Sequence, residues 1–129
     1  MELSDLEVYS ISMTLSNKIW SLVQGWHIFE KDTIGKQIVR ASDSISANIS
    51  EGFGRYYFKD SKVFLFYARG SLYETKTWLK KANDRNLIST SEYIDLEERY
   101  TKLAIKLNNY IRIIGKSNSN QGKSINADQ

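Results

Sequence analysis

Chemistry needs nucleophiles, bases or metal ligands at workable spacing, and this sequence supplies few of them. Its single histidine is His27, beside Trp26, and it holds no cysteine. A thiolate nucleophile, a disulfide framework and a Cys-ligated metal are therefore excluded. A di-iron bundle needs two Glu-x-x-His pairs, which one histidine cannot provide. No nucleophile, base and orienting group recur at a recognisable spacing, so the expectation is a protein that is not an enzyme and carries no cofactor. Gly52-Phe53-Gly54 lacks the preceding strand and the Gly-Lys-Ser/Thr ending of a phosphate loop and reads as a cap and turn.

Two sets of residues remain. The polar residues Asn48, Glu51, Ser71 and Glu74 could form a site, but a buried network fixing the meeting of two helices accounts for them better. The second set is cationic: Lys36, Arg40, Arg55, Lys59, Lys62, Arg69 and Lys76, continued by Lys80, Lys81 and Arg85 and interleaved with Tyr56, Tyr57 and Phe58. Between Lys31 and Arg85 eleven basic residues face six acids, whereas residues 1–30 hold Lys18 alone against Glu2, Asp5, Glu7 and Glu30. Such cations could neutralise phosphates while the aromatics stack on unpaired bases. The same residues could equally be a solvated helix face, with the aromatics packed between subunits. By helical angle, Lys36 and Arg40 share one side of the second helix, and Arg69, Lys76 and Lys80 one side of the third. Two adjacent stripes would make one positive field, multiplied if copies form a ring.

The elements that must position these residues are helices. The 129-residue chain suits one domain, with 41% hydrophobic and 26% charged residues, no proline and 7 glycines. That composition can bury a core and lacks the turn punctuation of all-β folds. Val8, Ile11, Leu15, Ile19, Leu22, Val23 and Trp26 recur at helical spacing and predict a first helix between Asp5 and Phe29. Asp32 or Thr33 is expected to cap a second, striped by Ile34, Ile38, Ala41, Ile45 and Ile49 and ending near Gly52, where a left-handed glycine cap is expected. A third, capped by Asp60 or Ser61, carries Phe64, Leu65, Ala68, Leu72, Leu79 and Ala82 beside Trp78. Gly70 in its middle implies either a tightly packed neighbour or a weak helix. Ser89 and Glu92 have capping-box spacing before a fourth stripe: Tyr93, Leu96, Tyr100, Leu103, Ala104, Leu107, Tyr110, Ile111 and Ile114. The expected fold is all-α, an antiparallel up-down-up-down four-helix bundle over residues 1–115, with residues 116–129 a disordered polar tail. The acidic start and the lack of any long apolar run predict a bacterial-type cytoplasmic protein with no membrane span. The net charge of +3 is mildly basic.

The segment from Gln37 to Gly52, QIVRASDSISANISEG, resembles the signature of the 23S rRNA intervening-sequence (S23) proteins. A second hallmark, Gly-Ser followed by Leu and Glu, stands here as Gly70-Ser71-Leu72-Tyr73-Glu74. Ser42 and Ser50 depart from the commoner alanines, both small exchanges. The similarity covers about residues 5–115 and extends to the accessory variability protein of diversity-generating retroelements. It implies a four-helix bundle that forms a homo-oligomer, a pentamer, with a basic surface for RNA or DNA. A protein-interaction scaffold that docks a partner enzyme such as a reverse transcriptase is the alternative it leaves open.

Overall fold

The computed structural model describes residues 1–128, with side chains through Lys116. A single 3-10 turn, Leu3–Asp5, leads into α1, Glu7–Gln24. Helix α2, residues 28–53, is built of an α-turn (Ile28–Glu30), a π-helical stretch (Lys31–Gly35) and a regular α-helix (Lys36–Phe53). Helices α3 and α4 span Phe58–Asp84 and Thr90–Asp128. No strand occurs among the described residues, and no helix among them is long and apolar enough to cross a membrane.

Each helix packs mainly on its neighbours in sequence, most closely α2 on α3, and α4 returns to α1 to close the ring. Short connections between such neighbours make the arrangement the expected antiparallel up-down-up-down bundle. Its interior is filled by the anticipated stripes. Leu15, Ile19, Ile38, Ile45, Ile49, Leu65, Leu72, Leu79, Tyr100, Leu103 and Leu107 lose essentially all their surface. Where α1 meets α2 the buried residues include Ser12, Ser16, Ser42 and Ser46. Each hydroxyl donates to the carbonyl three residues earlier, so these small side chains bring no unsatisfied polar group inside.

The helix ends depart from expectation in ways that explain themselves. Helix α1 stops at Gln24 rather than near Phe29, because Gly25 and Trp26 close its last turn with bonds to Leu22 and Val23 and His27 turns extended. Helix α2 accordingly begins at Ile28, before Asp32 and Thr33, and Thr33 lies inside it with its hydroxyl donating to the Phe29 carbonyl at 2.8 Å. The wide π turn coincides with Gly35, whose Cβ, were there one, would stand 2.8 Å from Val23 Cγ1. A single extra residue in the turn, with no side chain at its tightest point, lets α2 fold back against α1. No described glycine adopts a left-handed conformation; Asn86, in the α3–α4 connection, does. Gly52 is required instead for proximity, since a Cβ there would lie 3.1 Å from the Ser61 carbonyl oxygen and 3.2 Å from Leu65 Cγ. Helix α3 starts at Phe58, leaving Asp60 in its first turn, where a carboxylate favours the helix dipole. Ser89 Oγ accepts the Glu92 amide at 3.1 Å, the hydroxyl half of the expected capping box. The span of α4 passes Gly115; the expectation of a disordered tail over 116–129 falls on residues whose side chains, from 117 onward, lie outside the described residues.

Candidate functional surface

Helix α3 carries two apolar stripes. The inner one, Leu65, Ala68, Leu72, Leu79 and Ala82, fills the core. The outer one is Val63, Phe66, Tyr67 and Tyr73, all exposed, with Tyr67 at 58% and Tyr73 at 51% of their full surface. Residues 63, 66, 67, 70 and 73 follow the same spacing of three and four on the opposite side of the helix. Gly70 sits in the middle of that outer stripe, and nothing among the described residues stands within 4 Å of where its Cβ would be. Of the two readings expected for it, no helix among the described residues packs tightly against it, and α3 runs through it unbroken.

Around Gly70 lies an open groove of about 600 Å³, lined by Ser44 and Asn48 of α2 and by Phe66, Tyr67, Gly70, Ser71 and Glu74 of α3. Its floor is a short hydrogen-bond chain. Asn48 Nδ2 donates to the carbonyl and the hydroxyl of Ser44, both at 2.9 Å, and Ser71 Oγ donates across the seam to Ser44 Oγ at 3.1 Å. The network expected of Asn48, Glu51, Ser71 and Glu74 is thus half present, half-buried rather than buried, and joined through Ser44. Glu51 and Glu74 stand outside it, both exposed. Gly52 faces Leu65, so Glu51, about 100° around the helix, is turned outward and pairs with Arg55 at 3.1 Å.

The cations do not make the single field that helical angles suggest. Arg69 and Lys76 lean to the other side of α3, across its seam with α4. Arg69 Nη1 donates to Asn108 Oδ1 at 3.1 Å while its guanidinium covers Phe66, 4.6 Å from the ring centre. Lys76 Nζ pairs with Glu97 at 3.2 Å and donates to Thr101 Oγ1 at 2.9 Å. Arg55, besides its pair with Glu51, stacks on Phe64 at 4.6 Å. Lys62 lies 6.0 Å from the Phe58 ring. Lys36, Arg40, Lys59 and Lys62, all exposed, have no carboxylate within ion-pairing distance among the described residues. The groove separates the α2 cations from Arg69 and Lys76, so two stripes remain apart.

The three loop aromatics also divide. Tyr56 and Tyr57 project into solvent at 77% and 56% exposure, their rings edge to face at 4.8 Å. Phe58 instead turns inward against the end of α4, where a Cβ on Gly115 would come within 3.0 Å of its ring. The sequence contained a signal for the outer stripe, the second apolar period of α3. It contained none for the reach of Arg69 and Lys76 to α4, which depends on tertiary packing. Burial raises the pKa of Asp43 on α2, of the buried Tyr100 and of the half-buried Tyr110. His27 lies exposed ahead of α2, and no group of three His, Cys, Asp or Glu side chains that could hold a metal ion occurs among the described residues.

Fold and surface define the class: an all-α four-helix bundle whose second and third helices present an open groove with an apolar wall. Residues 4–109 match the 23S rRNA-intervening sequence protein family, and the chain belongs to it. In three dimensions it is similar to a crystal structure from Bacteroides thetaiotaomicron, a protein of unknown function from the S23 ribosomal protein family. The two share 25% of residues with a TM-score of 0.73 over 81% of this chain and 97% of that one. No functionally curated protein is similar enough in sequence to match.

Proposed function

We propose that this chain is a non-enzymatic assembly protein: copies join through the outer α2–α3 face into a closed homo-oligomer, and cations on α2 and at the first turns of α3, at the end of that face, hold RNA or DNA. The observation that carries this is the outer stripe of α3. A helix that already buries one apolar stripe in its own core gains nothing in water from a second, and a run of four large apolar side chains around an open glycine is the form of a contact surface. Of the residues that carry the family resemblance, Asn48, Gly70, Ser71 and Glu74 line that groove, which suits a role in assembly, whereas Gly52 lies in the inner seam and Glu51 pairs with Arg55. A ring, and a pentamer as the size, is what the family likeness supports.

Binding of nucleic acid rests on Lys36, Arg40, Lys59 and Lys62, which have no acidic partner among the described residues and recur in every copy. Gly70→Gln tests the assembly. It fills the groove at a solvent-facing position where glycine is the poorer helix former, so helicity by circular dichroism should hold while native mass spectrometry shows monomer. An unchanged oligomer would sink the interface. Lys36→Glu, Arg40→Glu and Lys59→Glu together should abolish a salt-sensitive gel shift and leave the oligomer whole. The engagement of Arg55, Arg69 and Lys76 within the bundle favours one rival, docking of a protein such as a reverse transcriptase. A protein partner retained after nuclease digestion, with no gel shift for the unaltered chain, would decide for it.

A further inference from the structure

We infer that the end of the bundle carrying the α2–α3 loop is a stacking site for single-stranded nucleic acid, with Tyr56 and Tyr57 as the platform. It rests on the nucleic-acid half of the proposed function and narrows its substrate to unpaired strands. The loop is short, from Gly54 to Tyr57, and both of its ends are pinned. Arg55 is held by Glu51 and Phe64, and Phe58 by its contact with Gly115. Between these anchors the tyrosines have nothing to cover them among the described residues, and their rings stand at 84° to one another. A base lying flat on one ring would have the other as a side wall. Two large aromatic rings held outward by a pinned loop are poor solvent-facing residues and good stacking surfaces, because every base has a π-face.

Charge around the platform fits a polyanion. Lys59 and Lys62 lie on the first turns of α3, and Lys116 follows the Gly115 contact that ties the end of α4 to this loop. Against them Glu51 is occupied by Arg55, leaving Asp60 as the other carboxylate between residues 50 and 62. Lys116 is the addition that no sequence spacing announces, being more than fifty positions from the loop it joins. A duplex keeps its base faces inside its own stack and would meet these lysines through phosphates alone. A single strand offers phosphates and bases together, so it should gain from the tyrosines what a duplex cannot.

The test is fluorescence anisotropy with labelled 12-mers of oligo(U) and oligo(dT) and a duplex of equal length, against the assembled protein and its Tyr56→Ala, Tyr57→Ala and Tyr56→Phe variants. The single strands should bind more tightly than the duplex. Each alanine variant should weaken them by about 5- to 150-fold, the equivalent of one lost base stack, and leave the duplex unchanged. Tyr56→Phe should restore the strand affinity, since the ring and not the hydroxyl does the stacking. Equal affinity for strand and duplex, untouched by the alanine variants, would overturn the stacking site while leaving nucleic-acid binding in place. Dissociation of the oligomer on Tyr56→Ala or Tyr57→Ala, with strand affinity per subunit retained, would likewise overturn it by making the tyrosines an interface. Failure of every probe to bind would remove the broader nucleic-acid function, and the platform with it.

Discussion

The two sides of the α2–α3 pair differ more than any other regions of this molecule, although the same two helices build both. On the inner side the backbones are so close that Gly52 has a carbonyl oxygen 3.1 Å from its missing Cβ, and Ile45, Ile49, Leu65 and Leu72 are sealed from water. On the outer side Gly70 looks into open space, with Phe66, Tyr67 and Tyr73 exposed around it. One glycine is there because something is close; the other is there although nothing among the described residues is. The inner face is completed by the chain's own fold, whereas the outer face has the composition of an interior without the partner that would make it one.

Truncation separates the two faces most sharply. Leu72→Ala, at a fully buried position, should cost about 2–5 kcal/mol of unfolding free energy, the transfer and cavity terms adding. Tyr67→Ala, on the same helix but outside, should change the stability of the dilute monomer by roughly 0.5 kcal/mol or less. It should also flatten the dependence of the melting temperature on protein concentration, which assembly imposes on the unaltered chain. Urea and thermal unfolding over a concentration series check both. Equal losses for the two variants would mean that the outer stripe is part of the monomer's own core.

The glycines give the next largest contrast, and its sign reverses between them. Gly52→Ala pushes a methyl against backbone that cannot turn aside, and overpacking of this kind should cost about 1–3 kcal/mol. Gly70→Ala adds the same methyl to empty space in a helix interior. The monomer should gain about 0.5–1 kcal/mol from the lower entropy of its unfolded chain. If the outer groove takes a second copy, the stabilised monomer should also assemble less readily, a pairing of effects that simple helix propensity does not produce. Chemical denaturation of both variants, with sedimentation for the second, distinguishes them.

What could be read beforehand divides along the same line. The four helices and nearly all of the core were legible, because a buried stripe leaves its period in the sequence, and Leu96, Tyr100, Leu103 and Leu107 sit where that period puts them. The π turn was not. One extra residue between Lys31 and Gly35 looks in sequence like the break between two helices, and only the packing of Gly35 under Val23 shows the helix continuing. The outer stripe was passed over because the inner stripe of α3 already accounted for a helix. Residues 66, 67 and 73 add nothing to the buried core of the monomer. The cations were legible by type but not by engagement: Arg69 and Lys76 find Asn108 and Glu97 only after α4 has folded alongside.

The smallest effect tests a reversal in how the two faces treat their polar atoms. In the outer groove the hydroxyls of Ser44 and Ser71 bond to each other, yet in the core the hydroxyl of Tyr100 is buried with no partner among the described residues. Its burial, with the Asp43 carboxylate adding to it and Arg99 opposing, holds the phenol well above its ordinary value of 10.0. Below pH 10 the phenol is neutral both in the fold and in the unfolded chain, and its ionisation costs the fold nothing. Above pH 10 the unfolded chain releases that proton while the native bundle keeps it, so stability falls by up to about 1.4 kcal/mol per pH unit until the native phenol also ionises. Tyr110, also raised by burial, contributes in the same direction in both proteins, so the difference between the unaltered chain and Tyr100→Phe isolates one residue. At neutral pH the phenylalanine variant should be as stable or more stable by up to about 1 kcal/mol, because it removes an unpaired buried group. The gap between the two should widen from pH 10 to pH 11. Urea melts at pH 7, 10 and 11 measure it. A variant that is weaker at neutral pH would mean that the hydroxyl has a partner in solution, as the hydroxyls of Ser44 and Ser71 have in the outer groove.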